Sequence, residues 1–342
     1  MGSHRRIAGP GQGRATLGTR VTVLSAATAT AAAALAAVPA GAAPAAREAD
    51  AKAEVDRLYR QAEQATEAYN RATEQATRLA AQVSSAQGRL ADGQRRIETI
   101  RGTLGSIAGA QYRTGGVDPT LGLLLSAQPD SFLEDAAALA RIGARTAGRL
   151  KEYQSLQRSV AQDRAEAVGS LRELERTRRA AARHKHTVER KLTTARRLLA
   201  TLTSAQRAAY AHASRPGQVP APGAQPASQR AATALAAARS ALGRPYVWGA
   251  NGPAGFDCSG LTQWAYAQAG IGLPRTSQSQ RYAGSQVPLS QIRPGDLVAY
   301  REDASHIAMY AGHGQVIHAP YPGAPVRYDP IGMMPVSSVT RI

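Results

Sequence analysis

The chain has 342 residues and a formal net charge of +18, with a single cysteine, two Phe, two Trp and twelve Tyr. One cysteine excludes an internal disulfide framework, and the length leaves room for two domains and a linker. The charge is uneven, at +4 over residues 1–42, +10 over 43–215 and +4 over 216–342, while most of the tyrosines fall in the last third.

Residues 1–42 read as an export signal. Arg5, Arg6, Arg14 and Arg20 form a positive region without an acid, an apolar run spans Val21 to Val38, and Ala40-Gly41-Ala42 is a small-residue cleavage pattern. A membrane anchor is the alternative, weakened by Thr22, Ser25, Thr28, Thr30 and the many alanines. No cysteine near the cleavage pattern is there to carry a lipid. The expected location is therefore outside the cell, in the cell wall.

Residues 43–213 read as a long helical hairpin. From Val55 through Leu58, Ala62, Ala65, Tyr69, Ala72, Ala76, Leu79, Val83, Ala86, Leu90, Gly93, Ile97, Ile100, Leu104 and Ile107, apolar residues step by three and four, and only Gly93 supplies no side chain. Such a repeat specifies a helix of about 80 Å with a seam that must meet a partner. Gly115, Gly116 and Pro119 break it, placing a tip at about 113–130. Periodicity resumes near Leu139 and runs through Leu150, Tyr153, Val160, Ala167, Leu171 and Leu174, then Val188, Leu192, Ala195, Leu199 and Leu202. An antiparallel hairpin is expected, with oligomeric pairing left open. Leu121 to Leu125 at the tip is expected to cap the hairpin, with a docking patch for a partner as the other reading.

Ten Lys or Arg against Glu189 alone between Arg176 and Arg207 give this arm an attraction for polyanions. In an exported protein those are wall polymers and lipid head groups, so no nucleic-acid partner is expected. His184 and His186, two apart on a helix, point different ways and form no metal site. Residues 214–228, with Pro216, Pro220, Pro222 and Pro226, read as a semi-rigid linker, and a globular domain is expected over 229–342.

The chemistry lies in that domain. A Gly- and Pro-rich loop leads from Tyr246 into Asp257, an acceptable helix cap, and Leu261, Trp264, Ala265 and Ala269 follow at helical spacing. Cys258 thus falls in a first helical turn, where free backbone N–H groups and the helix dipole favour thiolate. His306 opens one expected strand and His318 ends the next, joined by a tight loop that leaves His313 in water. Adjacent strands could set His306 and His318 side by side, one as base and one holding its tautomer. A sulfur more than about 6 Å from both rings would end this reading.

The last third resembles the NlpC-type family of papain-like cell-wall endopeptidases. The matching segments are Arg244-Pro245-Tyr246-Val247-Trp248-Gly249, Phe256-Asp257-Cys258-Ser259-Gly260-Leu261, Leu273-Pro274-Arg275-Thr276-Ser277, Pro294-Gly295-Asp296-Leu297, Ser305-His306-Ile307-Ala308-Met309-Tyr310 and Val316-Ile317-His318-Ala319. The resemblance implies an α+β fold, with helices packed on an antiparallel sheet, preceded here by an α-helical coiled-coil hairpin. It implies Cys258 as nucleophile, His306 as general base and then acid, His318 as its orienting partner, and Tyr246 as an oxyanion donor with the Cys258 N–H. Asp257 and Ser259, and less directly Arg275 and Ser277, are its candidates for contact with the substrate. That substrate would be the peptidoglycan stem peptide, cut between D-glutamate and a diamino acid, without metal or cofactor. A thiol amidase or acyltransferase of related fold and a non-catalytic wall-binding scaffold are the competing functions. The hairpin is expected to regulate the enzyme, through a membrane-protein activator if it holds the enzyme inactive.

Overall fold

The computed structural model describes residues 44–113, 132–205 and 225–342, together with 121, 124, 125 and 207. The expected export signal, most of the hairpin tip and most of the linker lie outside the described residues. No described helix is long and apolar enough to cross a membrane.

Two helices of 70 residues, α1 (Pro44–Arg113) and α2 (Phe132–Thr201), make up the N-terminal arm. They run antiparallel, since Arg89 pairs with Asp163 at 2.8 Å while Arg96, further along α1, pairs with Glu152 at 3.0 Å, further back on α2. The seam residues Val55, Leu58, Ala62 and Ala65 pack on Val188, Leu192 and Ala195, and Val83, Ala86, Ala167 and Leu174 are also buried. Gly93, the seam position without a side chain, has a partner that explains it: a Cβ there would lie 2.5 Å from Cγ2 of Val160. Leu150 and Leu171, expected in the seam, are instead exposed, because a helix facing one partner buries only a narrow stripe and its flanks stay in water. The tip expectation also needs correcting. Leu121, Leu124 and Leu125 are 53%, 67% and 79% exposed, so these three do not cap the hairpin by burial.

The C-terminal region packs α3 (Gln229–Ser240), α4 (Cys258–Gln268) and the short α5 (Ser277–Gln280) with a six-stranded sheet. Its strands are β1 (Ser285–Val287), β2 (Leu297–Tyr300), β3 (His306–Gly312), β4 (Gln315–His318), β5 (Arg327–Pro330) and β6 (Val336–Arg341). Their order is β1-β6-β2-β3-β4-β5, antiparallel throughout. The two-residue period of β3 sends Ile307, Met309 and Ala311 into the main core with Ala234, Leu235, Leu261 and Ala265 of α3 and α4, and sends Ala308 and Tyr310 to the opposite face with Val298, Tyr300 and Val316. Ser228 caps α3, its hydroxyl accepting from the Ala231 N–H at 3.0 Å. Gly312, His313 and Gly314 all take positive φ in the β3–β4 turn, with His313 exposed as expected. Because β3 begins at His306 and β4 ends at His318, antiparallel pairing brings both histidines to one end of the sheet.

Candidate active site

Asp257 does cap α4. Its backbone is extended and its Oδ1 accepts the Gly260 N–H at 2.7 Å, so Cys258 is the first helical residue. Gly260 is required there, since a Cβ would stand 2.1 Å from the Ala250 carbonyl oxygen. The loop carrying Tyr246 is thereby pressed onto the helix start, and Tyr246 shares the buried cluster that contains Cys258.

The two histidines form a directed relay. His306 Nε2 lies 2.8 Å from His318 Nδ1, and His318 Nε2 lies 2.8 Å from Asp329 Oδ2, which also accepts from Arg327. Burial opposes ionisation of Asp329, but the bonds from His318 and Arg327 win and hold its carboxyl below the usual range. Burial pushes His318 down to about 4, with the neighbouring His306 adding to the shift, so this ring is neutral at physiological pH. The tautomers follow. An ionised Asp329 can only accept, so His318 donates from Nε2 and accepts at Nδ1, and His306 must then donate from Nε2. His306 Nδ1 here donates to the ionised Glu63 carboxylate, which can only accept; with that acid withdrawn, Nδ1 is the nitrogen free to take a proton from a thiol. The sulfur of Cys258, a ring nitrogen of His306 and a Glu63 carboxylate oxygen all lie within 4.8 Å of one another, inside the 6 Å limit.

The thiol's environment departs from expectation. The helix start is where it was expected, yet burial and then the carboxylates of Glu67, Glu63 and Asp257 push the Cys258 thiol well above its ordinary value, outweighing a backbone hydrogen bond involving Ile307. Desolvation and three nearby acids outweigh one helix dipole. Tyr246 is likewise pushed up, chiefly by burial and then by Cys258.

Two of those acids come from α1. Glu63 makes a short contact from Oε1 to His306 Nδ1 and an ion pair from Oε2 with Arg301 Nη1. Burial works against its ionisation, but His306 and Arg301 hold its pKa below the usual range. One turn on, Glu67 Oε1 accepts from Ser259 Oγ at 2.7 Å and lies 3.6 Å from the Cys258 sulfur, while its Oε2 accepts the Ser277 N–H at 2.9 Å. Burial and then the charge of Asp257 raise Glu67 to about 8. Asn70 follows, donating to Asp257 Oδ2 at 3.0 Å. Around these polar contacts, Tyr59 stacks on Tyr321 with centroids 4.9 Å apart and Tyr69 meets Trp248 edge-on at 5.3 Å. Helix α1 therefore lies across the thiol. Beside it a cavity of about 1250 Å³ stays open, reaching Tyr246 and His318 on one side and Tyr59 and Tyr321 on the other.

The remaining candidates from the sequence are gathered at this one place. Arg275 pairs with both oxygens of Asp257, at 3.0 and 2.6 Å, and reaches Ser259 Oγ at 3.0 Å. Asp257 is thus a structural hub, with Gly249 N–H also donating to it at 3.0 Å. Ser277 offers its N–H to Glu67, and its own hydroxyl is buried without a partner. Glu63, Glu67, Asn70 and Asp329 were missed in the sequence. The first three share a helical stripe by spacing, but acids on such a helix are ordinarily solvated, and nothing local marks these as buried. Asp329 sits two residues after Arg327 in a short strand, a pattern with no catalytic signature.

A family model described as NlpC/P60 family matches residues 243–339. A probable endopeptidase of Corynebacterium glutamicum is 46% identical over 122 residues, covering 36% of this chain, which spans only 58% of that protein's length. A probable endopeptidase of Mycobacterium tuberculosis is 30% identical over 339 residues, covering 82% of this chain and 86% of that protein. Among solved structures, the peptidoglycan hydrolase RipB from Mycobacterium tuberculosis is 33% identical, covering 33% of this chain and 65% of that one, with a TM-score of 0.32.

Proposed function

The chain belongs to the NlpC/P60 family, and from that premise we propose that it is an exported peptidoglycan hydrolase, a cysteine endopeptidase whose own N-terminal helix holds it inactive. The observation that carries this reading is the relay from Cys258 through His306 and His318 to Asp329, with Glu63 and Glu67 of α1 packed against its reactive end.

In the active form α1 has left the cleft. His306 Nδ1 takes the proton from Cys258, and the thiolate attacks the carbonyl carbon of an amide in the stem peptide, between D-glutamate and the diamino acid. The Cys258 N–H and the Tyr246 hydroxyl meet the developing oxyanion. His306 then passes its proton to the leaving amine, giving a thioester that water hydrolyses with His306 again as base. Ser259 and the Ser277 N–H, which now donate to Glu67, and Arg275, which holds Ser259, become available to a carboxylate of the substrate.

Withdrawal of α1 does two things at once. It uncovers the sulfur, and it removes two carboxylates that disfavour the thiolate. A membrane protein engaging the exposed leucines at the hairpin tip is the natural agent of withdrawal. The test is digestion of purified peptidoglycan by the full chain, by Glu63→Ala/Glu67→Ala and by the same variant carrying Cys258→Ala, with mass spectrometry of the products. Release by the double variant alone of fragments that begin with the diamino acid, leaving a dipeptide ending in D-glutamate on the glycan, supports the reading. Release of an intact stem peptide makes the enzyme an amidase instead.

A further inference from the structure

We propose that the closed site is a binding site for a divalent transition-metal ion, zinc above all, with Cys258 Sγ, His306 Nδ1 and Glu63 Oε1 as its three protein ligands. Two ligands belong to the catalytic domain and the third to α1, so the ion ties the helix into the cleft and acts as a co-inhibitor. This goes beyond peptide hydrolysis and does not depend on which bond the enzyme cuts.

Three observations support it. The three ligand atoms lie within 4.8 Å of one another and all three residues are buried. One sulfur, one imidazole nitrogen and one carboxylate oxygen form a donor set that suits zinc, which binds them at about 2.0–2.3 Å with a fourth position left for water. Small side-chain rotations therefore close the site around an ion.

The second observation is the shell behind the ligands. A metal-binding histidine is ordinarily held by a hydrogen bond from its other ring nitrogen. Here His306 Nε2 is bound to His318 at 2.8 Å and His318 to Asp329 at 2.8 Å, which holds the ring with Nδ1 on Glu63, ready to bind an ion once its proton leaves. On the opposite side Arg301 holds Glu63 Oε2, so that Oε1, the oxygen on His306 Nδ1, is the one turned to the ion.

The third is charge. Glu67 Oε1 stands 3.6 Å from the sulfur, so a second carboxyl oxygen borders the thiol that the ion would hold as thiolate. As the ion enters, the thiol proton and the proton shared by Glu63 and His306 pass to solvent.

The experiment is anaerobic titration of the reduced full chain with Co²⁺, followed by Zn²⁺. The expected result is one equivalent of cobalt with a thiolate-to-metal absorption in the near ultraviolet and the intense visible bands of a tetrahedral site, both erased by zinc and both absent in Cys258→Ser. Outer-shell partners alone are worth about 10–100-fold in affinity, so Glu63→Gln, which removes a direct ligand, is expected to weaken binding at least about tenfold. No thiolate band in the wild-type chain overturns the site, a result that needs no variant to fold. An unchanged affinity in Glu63→Gln, with its circular dichroism intact, overturns the role of α1. Neither outcome touches the hydrolase reading, because no substrate is present.

Discussion

Glu67 Oε1, on the N-terminal hairpin, stands 3.6 Å from the sulfur of Cys258 and accepts the hydroxyl of the adjacent Ser259 at 2.7 Å. A carboxyl group from one half of the chain thus occupies the space that a substrate would need in the other. Because Cys258 is the sole cysteine, alkylation of the protein reads the accessibility of this one sulfur.

Removing one partner of a buried ion pair costs about 3 kcal/mol or more. Glu63→Ala leaves Arg301 and His306 without their acid in the closed state and is expected to raise the open population by roughly a hundredfold. Iodoacetamide should label Cys258 of this variant faster by a similar factor at fixed pH, and hydrolysis should rise with it. Labelling no faster than wild type would show that this pair does not close the site.

The closed state should weaken as pH rises. Glu67 is raised to about 8 on docking, by burial and by Asp257, from an ordinary value of 4.5. The docked form therefore keeps a proton that the free form gives up. The Glu67 contribution to docking is full below about pH 4.5 and is lost progressively up to about pH 8, by up to about tenfold per unit, while that of Glu63, lowered on docking, stays constant across this window. Alkylation of wild type, divided by that of Glu67→Gln at each pH, should climb across that window, and a flat ratio would contradict the assignment.

Asp329 fixes both tautomers in the relay, and Asp329→Asn can instead donate to His318 and reverse them. In a Glu63→Ala/Glu67→Ala background this substitution should lower kcat by about a hundredfold, the lower range for a general base, with KM little changed. Steady-state kinetics on purified stem peptides separates this from a packing defect, which would lower Tm as well.

Gly93 and Val160 provide a test of the hairpin itself. Gly93→Leu should destabilise the arm by about 1–3 kcal/mol through overpacking. Gly93→Ala combined with Val160→Ala removes the clash and keeps the helix-propensity gain of about 0.5–1 kcal/mol, so its Tm should exceed that of Val160→Ala alone.

The sequence by itself determined what depends on neighbours. Asp257 and Gly260 set a capped helix start at Cys258, and the apolar steps of α1 called for a long helix with a partner. The short strands around His306 and His318 called for their meeting. Each is decided by hydrogen bonds and side-chain periodicity within a few residues, or by one hairpin turn. Only the tertiary structure decided which face of α1 meets the catalytic domain, and with it the whole setting of the thiol. Glu63 to His306 and Glu67 to Cys258 span 243 and 191 positions in the chain. A glutamate bound for water and one bound for a buried cleft have the same local pattern. What separates them is desolvation, and desolvation is a property of the assembled fold.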